Sequence, residues 1–164
     1  MVKGKHELLH DPLAQQLLAA ALPARLAYMW TDGTPRIAPL WFHWDGRNVV
    51  LATFGGAPKL KALRSGARVA LTIDTNDVPN HVLSIRGPAE VTPFTGVVPE
   101  YALAAARYLG REYGEAYISS LPATVPMARI AVRPDDVVLL DFEQRFPSAL
   151  SKLGLVPSNR GAAA

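Results

Sequence analysis

Residues 35–53, PRIAPLWFHWDGRNVVLAT, decide the fold. One Asp-Gly pair (32–33) stands just before this stretch and another (45–46) lies within it. Asp-Gly between apolar segments is typical of a tight β-hairpin turn, because both residues tolerate a positive φ. The flanking segments are rich in β-branched and aromatic residues, which favour strands. The pattern predicts an antiparallel meander of three strands, over residues 25–30, 35–44 and 48–53.

The rest of the chain adds strands more often than helices. Further strands are predicted over 68–74, 81–94, 127–134 and 136–142, and the second of these is bent near Gly87-Pro88. Helices are predicted from Pro12 to about Leu22 and over 58–66, 99–121 and 147–154. At least six short strands with few helices favour a small antiparallel β-barrel over a doubly wound sheet.

Composition indicates one domain that spans residues 1–164, with 1–10 as an N-terminal arm and 155–164 as a mobile tail. Hydrophobic residues make up 49% of the chain, enough for a packed core. Charged residues make up only 19%, which points to a surface buried in a second copy. The net charge is +3 with scattered basic residues, so no nucleic-acid partner is expected. No leader or membrane-spanning run is evident, and we expect a cytoplasmic protein.

The absence of cysteine excludes disulfides, thiol catalysis and cysteine-ligated metals. HELLH, residues 6–10, matches the H-E-x-x-H signature of zinc proteases, in which two histidines share one face of an α-helix. Pro12 follows too closely for such a helix to continue. His43 and His81 do not stand in a third-ligand pattern. We therefore predict that HELLH is not a metal site, with a zinc protease as a remote alternative that metal analysis would test.

Residues 53–64 combine features of an anion-binding site. A strand ends at Thr53, two glycines follow, and the predicted helix begins at Pro58 with Lys59 and Lys61. Backbone N–H groups, the helix dipole and the lysines would converge on a phosphate there. The alternative is a solvated basic turn, since surface lysines are usually solvated.

The longer stretch DGTPRIAPLWFHWDGRNVVLATFGGAPKLKALRSGARVALTID, residues 32–74, resembles the pyridoxamine 5′-phosphate oxidase-like family of flavin and deazaflavin oxidoreductases. The resemblance covers residues 24–92 and, more loosely, the strands after Met127. It implies a split, Greek-key β-barrel of about six strands with peripheral helices, and a homodimer with two cofactor sites at its interface. It also implies FMN-dependent hydride transfer to or from a small organic substrate.

Two alternatives remain open within this resemblance. The deazaflavin coenzyme F-420 is the alternative cofactor, and its longer phosphodiester tail would also use both lysines. A module that holds flavin or haem without turnover is the alternative function. The sequence indicates no catalytic acid or base.

The resemblance also implies which residues bind the cofactor. The strand that matches residues 38–41 runs beside the flavin ring in this family, and the positions that match Thr53 and Lys59 lie at the phosphate end. The implied set is Ala38, Pro39, Leu40, Trp41, Thr53, Lys59 and Lys61.

The chain departs from the pyridoxamine-phosphate oxidases proper at two places. Residues 56–59 read GAPK where those enzymes have G-S-R-K, and Ala38 stands where they have arginine. Two phosphate-directed side chains are therefore absent, with Lys61 as a partial substitute. Oxidation of pyridoxamine phosphate is not implied.

Three further features have two interpretations each. His43 either lines the substrate pocket or is a half-buried sheet residue. Trp41 is either a core residue or a wall of the cofactor site. Four tyrosines either cover the pocket or pack with their hydroxyls toward water: Tyr101, Tyr108, Tyr113 and Tyr117.

Overall fold

The computed structural model describes residues 6–144, 150 and 152–154. This part of the chain holds eight strands and three α-helices. The strands are β1 (Ala24–Met29), β2 (Pro35–Leu40), β3 (Phe42–Trp44), β4 (Val49–Phe54), β5 (Ala67–Asp74), β6 (His81–Thr95), β7 (Pro126–Val132) and β8 (Asp136–Asp141). The helices are α1 (Pro12–Ala19), α2 (Pro99–Leu109) and α3 (Arg111–Ser120).

The sheet is antiparallel and curls until its two end strands come close together. Its strand order is β2-β1-β5-β6-β7-β4-β3, and β8 pairs with β6 outside this path. The strands at the two ends, β2 and β3, are consecutive in the chain and separated only by Trp41. Because two residues span at most about 7 Å, the two ends of the sheet must meet. The predicted split antiparallel barrel with peripheral helices is therefore confirmed, with eight strands in the described residues where about six were expected.

The predicted meander of the first three strands is wrong. The hairpins β1–β2 and β3–β4 form at the two Asp-Gly turns. The strand predicted over 35–44 is divided at Trp41, however, and its halves lie at opposite ends of the strand order. The strand after the second turn, β4, pairs with β7 on its other side. The turn chemistry determined each hairpin, and the long-range pairings determined where the hairpins lie.

The longest strand, β6, changes partner at its predicted bend. Its first half pairs with β8 over His81–Arg86, and its second half pairs with β7 over Ala89–Thr95. Gly87 lies where β6 changes from one partner to the other, and the connection between β7 and β8 packs against it there. A Cβ atom on Gly87 would lie 1.8 Å from the carbonyl oxygen of Arg133.

Helix α1 and the segment before it pack on the core. The Asp11 side chain accepts a hydrogen bond of 2.9 Å from the Leu13 N–H and caps α1, as Asp11-Pro12 predicted. The preceding residues His6–His10 form a 3₁₀ turn in which Leu9 is only 1% exposed. His6, Glu7 and His10 are exposed, so Leu9 is the residue that holds this part of the predicted arm against the core.

The helix predicted over 99–121 is two helices. Gly110, with a φ of 83°, ends α2 and begins α3. A positive φ does not fit an α-helix, and glycine adopts it without the penalty that a Cβ brings. The break lets α3 fold back against α2, so that both helices reach the connection at Trp41.

Some predicted features fall outside the described residues. These are residues 1–5 of the arm, most of the short helix over 147–154, and the whole tail 155–164. Within the described residues, none of the helices combines the length and the apolar character needed to cross a bilayer.

The close approach of the β7–β8 connection to Gly87 gives a prediction about stability. Gly87→Ala should lower the free energy of unfolding by more than about 3 kcal/mol, because the new Cβ meets backbone rather than a side chain that can rotate away. Urea unfolding measures this change. Thr92→Ser, at an exposed position of the same strand, is the control and should stay within about 0.5 kcal/mol of the parent. If Gly87→Ala lowers the free energy of unfolding by less than about 1 kcal/mol, the connection between β7 and β8 can move aside and the prediction is wrong.

Candidate cofactor-binding site

Thr53 and Lys59 come together at the end of β4. The Lys59 ammonium donates to the Thr53 hydroxyl oxygen over 3.4 Å. Thr53 is 8% exposed and Lys59 is half-buried. The turn between them contains Gly56, whose φ of 81° reverses the chain. Two of the residues predicted to hold a phosphate therefore lie side by side.

The helix predicted over 58–66 is not formed. Pro58–Lys61 make a four-residue 3₁₀ turn, and the chain then brings Leu63 into the core at 1% exposure. Such a short turn has no useful helix dipole, so this part of the anion-site argument is wrong.

The two lysines differ in their surroundings. Within the described residues, no carboxylate lies within 4.0 Å of either ammonium group. Lys59 is held by Thr53, whereas Lys61 is exposed. Lys59 is thus a positioned cation with unused hydrogen-bonding capacity, and Lys61 is a nearby exposed charge.

The strand β2 carries Ala38, Pro39 and Leu40 at one end of the sheet. Its only strand partner among the described residues is β1. Ala38 and Leu40 are half-buried and Pro39 is exposed. The outer edge of β2 therefore presents backbone polar groups that a planar ligand or a second subunit would satisfy.

Trp41 lies beneath the tyrosines of α2 and α3. Its ring stacks on Tyr108 at 5.2 Å and on Tyr101 at 5.7 Å, and meets the edge of Tyr117 at 6.2 Å. The predicted fourth member, Tyr113, is 75% exposed and has no part in this cluster. The structure thus places Trp41 in an aromatic cluster formed by three of the four tyrosines.

The aromatic cluster includes Phe54 at the end of β4. Phe54, the residue after Thr53, meets the edge of the Tyr101 ring at 6.1 Å. The hydroxyls of Tyr101 and Tyr117 lie 3.0 Å apart. Burial raises the pKa of the Tyr101 hydroxyl, and its bond to Tyr117 raises it further, so the Tyr101 hydroxyl keeps its proton at neutral pH. Trp41, Tyr101 and Phe54 are therefore linked by ring contacts. Thr53 lies on the opposite face of β4 from Phe54, because successive side chains of a strand alternate.

Sequence reasoning missed Arg107. Its guanidinium donates to the carbonyl oxygens of Leu18 (3.1 Å) and Phe42, and lies 4.6 Å from the centre of the Phe42 ring. It thereby joins α2 to the end of α1 and to the first residue of β3. An arginine on an amphipathic helix carries no sequence signal for such backbone contacts.

A second missed group is the Asp45–Glu100–Arg129 cluster. Arg129 donates twice to one oxygen of Glu100, at 2.9 and 2.7 Å, and lies 3.6 Å from Asp45. Burial acts to raise the pKa of Glu100, but the bonds from Arg129 outweigh it and hold that pKa below its usual value. The cluster anchors the start of α2 to β7 and to the turn after β3.

His43 lines a separate cavity of 350 Å³ between α1, β3 and α2. Arg107 and Trp44 contribute to the same cavity. Burial lowers the pKa of the His43 imidazole and Arg107 lowers it further, against the opposing effect of Glu100 and Asp45. The half-buried position expected for a sheet histidine is observed, and the neutral imidazole faces a cavity.

HELLH does not form the geometry of a zinc protease. His6 and His10 lie on a 3₁₀ turn, which has roughly three residues per turn. Positions i and i+4 then point about 120° apart, whereas on an α-helix they share one face. The two imidazoles are therefore directed apart.

Solved structures match this chain, whereas no family model does and no curated protein matches its sequence. An F420 reductase is 26% identical, with a TM-score of 0.53, and the match covers 76% of this chain and 94% of the reductase. The conserved hypothetical protein Rv2991 from Mycobacterium tuberculosis is 18% identical, with a TM-score of 0.64, and the match covers 99% of both chains. The haem storage protein HutZ from Vibrio cholerae is 14% identical, with a TM-score of 0.54 and coverage of 80% and 93%. These structures agree with the split-barrel fold.

The surroundings of His43 give a pH prediction. Because its pKa is lower in the folded state than in the unfolded chain, the unfolded state binds the extra proton first as the pH falls. Stability should therefore fall as the pH drops below about 6.5, the ordinary imidazole value. His43→Gln should reduce that slope, as measured by urea unfolding between pH 7.5 and 5.5. An NMR titration in which His43 titrates above free imidazole would contradict the prediction.

Proposed function

We propose that this chain is a flavin-type oxidoreductase that holds the phosphate end of its cofactor at Lys59 and Thr53. The observation that carries the proposal is the 3.4 Å contact between these two side chains at the end of β4. A phosphate oxygen there would take a charge-assisted bond from the ammonium group and a second bond from the hydroxyl. The donor set therefore fits a phosphate-bearing cofactor.

The remaining implied residues would face the ring of that cofactor. Residues 38–40 on the outer edge of β2 offer backbone groups to a planar ring, and Trp41 follows them directly. When bound, the cofactor supplies hydride transfer to or from a small organic substrate. The protein supplies placement, since three tyrosines fix Trp41 and Arg107 fixes α2 above it.

The deazaflavin coenzyme F-420 is favoured over FMN by one comparison. The F420 reductase is 26% identical to this chain, and the match extends over 94% of that protein. The exposed Lys61 beside Lys59 also suits a cofactor whose tail carries charge beyond the first phosphate. FMN remains the second cofactor to test.

Lys59→Ala should weaken FMN binding by about ten- to a hundredfold, because one charge-assisted hydrogen bond contributes roughly 1.5–3 kcal/mol. Fluorescence titration at low and high salt measures the dissociation constants. Riboflavin, which lacks the phosphate, is the matched ligand control and should bind parent and variant equally. Lys61→Ala is the matched protein control, and should change FMN binding little and F-420 binding more.

Equal FMN binding by the parent and Lys59→Ala would place the phosphate elsewhere and overturn the assignment. Equal losses for FMN and riboflavin would show that Lys59 acts on the fold instead. Turnover is a separate measurement. Reduction of bound cofactor by NAD(P)H without consumption of an acceptor would indicate a flavin- or haem-holding module in place of an enzyme.

We also propose that the chain is a homodimer through the outer face of β1 and β2. Met29 is 55% exposed and Ile37 is 68% exposed on this face. A groove of 290 Å³ beside them is lined by the apolar residues Ala27, Val69 and Ala70, and also by Arg68 and Arg86. Apolar side chains grouped in this way are typical of a subunit contact, and the free edge of β2 continues it.

Light scattering at micromolar concentration should give twice the chain mass of 17.7 kDa. Ile37→Asp should shift the protein toward the monomer, since it buries a charge in the contact. Tyr113→Ser, at an exposed position on α3, is the control and should leave the dimer intact. A parent chain that scatters as a monomer refutes the proposal.

A further inference from the structure

Three side chains with metal-binding atoms meet where β6 begins and β8 ends. His81 is paired in register with Asp141, and Glu143 follows two residues later. His81 Nε2 lies 3.4 Å from Asp141 Oδ1 and 4.0 Å from Glu143 Oε2. One candidate ligand atom from each residue lies within 4.8 Å of the other two. Residues 6–144, 150 and 152–154 contain no other grouping of this kind.

The sequence does not reveal this grouping because His81 is far from the two carboxylates along the chain. Metal motifs are recognised by short spacings on one helix or loop. Here the pairing of β6 with β8 brings the residues together. This grouping is separate from HELLH, for which His81 is not expected to be a third ligand.

The spacing of the three groups suits a small divalent ion. Nitrogen and oxygen ligands lie about 2.0–2.2 Å from zinc, which places them roughly 3.3–3.5 Å apart on a tetrahedron. The 3.4 Å separation of His81 and Asp141 matches this value. The 4.0 Å separation from Glu143 needs only a small rotation of a side chain that is 55% exposed.

The buried charge of Asp141 gives a second, independent reason to expect a divalent ion at this site. The side chain of Asp141 is only 7% exposed, and a buried carboxylate is costly unless a cation accompanies it. In the described part of the chain, no lysine or arginine lies within 4.0 Å of it. Its neighbours are the His81 imidazole and the backbone N–H groups of Glu143 and Gln144, which donate to Asp141 Oδ1. A divalent ion held by the same carboxylate would add a full positive charge beside it.

We propose that His81, Asp141 and Glu143 bind one divalent transition-metal ion of the zinc type. One imidazole nitrogen and two carboxylate oxygens form a donor set of borderline softness. Such a set suits zinc better than it suits magnesium or calcium, which prefer sites made of oxygen ligands alone. Three protein ligands leave a fourth position for water. Bound metal ties the segment after β8 to the start of β6. The backbone N–H groups of Glu143 and Gln144 donate to Asp141 Oδ1 and orient that ligand.

The test is a zinc titration of the full chain after chelator treatment, in competition with a chromophoric chelator. The parent should bind one ion per chain. Glu143→Gln should weaken binding by at least about tenfold, and His81→Ala by about a hundredfold or more. Cobalt should give visible absorption bands in the parent that His81→Ala abolishes. His10→Ala, in the exposed part of HELLH, is the matched control and should bind zinc like the parent.

Three outcomes would overturn the proposal. Unchanged zinc affinity in His81→Ala is one, loss of zinc in His10→Ala is another, and equal affinity for magnesium is the third. Glu143→Gln changes an exposed side chain, so it keeps the test decisive if His81→Ala folds poorly. Unfolding of each variant without metal verifies that the fold is retained. None of these measurements involves the flavin cofactor.

Discussion

The single residue between β2 and β3 imposes the constraint on which the rest of the structure depends. These strands are the two ends of the sheet, yet Trp41 alone connects Leu40 to Phe42. A flat or gently twisted sheet would place its ends tens of ångströms apart, since neighbouring strands lie about 4.8 Å from one another. The sheet must therefore curl until its ends meet, and the large side chains enclosed by the curl become the core.

The helices are placed where they support this connection. Phe42, just beyond it, is 1% exposed, and Arg107 of α2 binds its carbonyl oxygen and packs on its ring. Tyr108 stacks on Trp41 and donates to the carbonyl oxygen of Leu22. Burial raises the pKa of this tyrosine hydroxyl, so the donor is kept at neutral pH. The same contacts that stabilise the connection also leave the outer edge of β2 uncovered for a ligand or a second subunit.

The local features of the fold followed from the sequence because each depends on a few neighbouring residues. Asp45-Gly46 predicted a hairpin, Asp11-Pro12 predicted a helix start, and both are present. The helix over 58–66 and the unbroken helix over 99–121 were wrong for different reasons. The helix over 58–66 competes with the burial of Leu63, which the structure shows instead. The single helix over 99–121 is not compatible with the positive φ at Gly110.

The site was predictable in part. The family resemblance implies Thr53 and Lys59 as cofactor-binding residues, which stays a prediction, and the structure places the two side chains in contact. Arg107, Arg129 and the His81 group were missed because their contacts join distant segments. Such contacts depend on strand order, and strand order cannot be read from turn chemistry or hydrophobic periodicity.

The connection at Trp41 also bears on how the chain reaches its native state. Among the described strands, β1–β2, β3–β4 and β5–β6 pair across short connections. The pairs β1–β5, β4–β7 and β6–β8 join strands that are not consecutive, and β6–β7 joins consecutive strands that are separated by α2 and α3. Chains dominated by such pairings fold on the millisecond-to-second scale, because loop-closure entropy is lost before the contacts that reward it are made. The hairpins on either side of Trp41 can form early and independently. Their relative placement is fixed only once the remote pairs have formed, so closure of the barrel is a late event in folding.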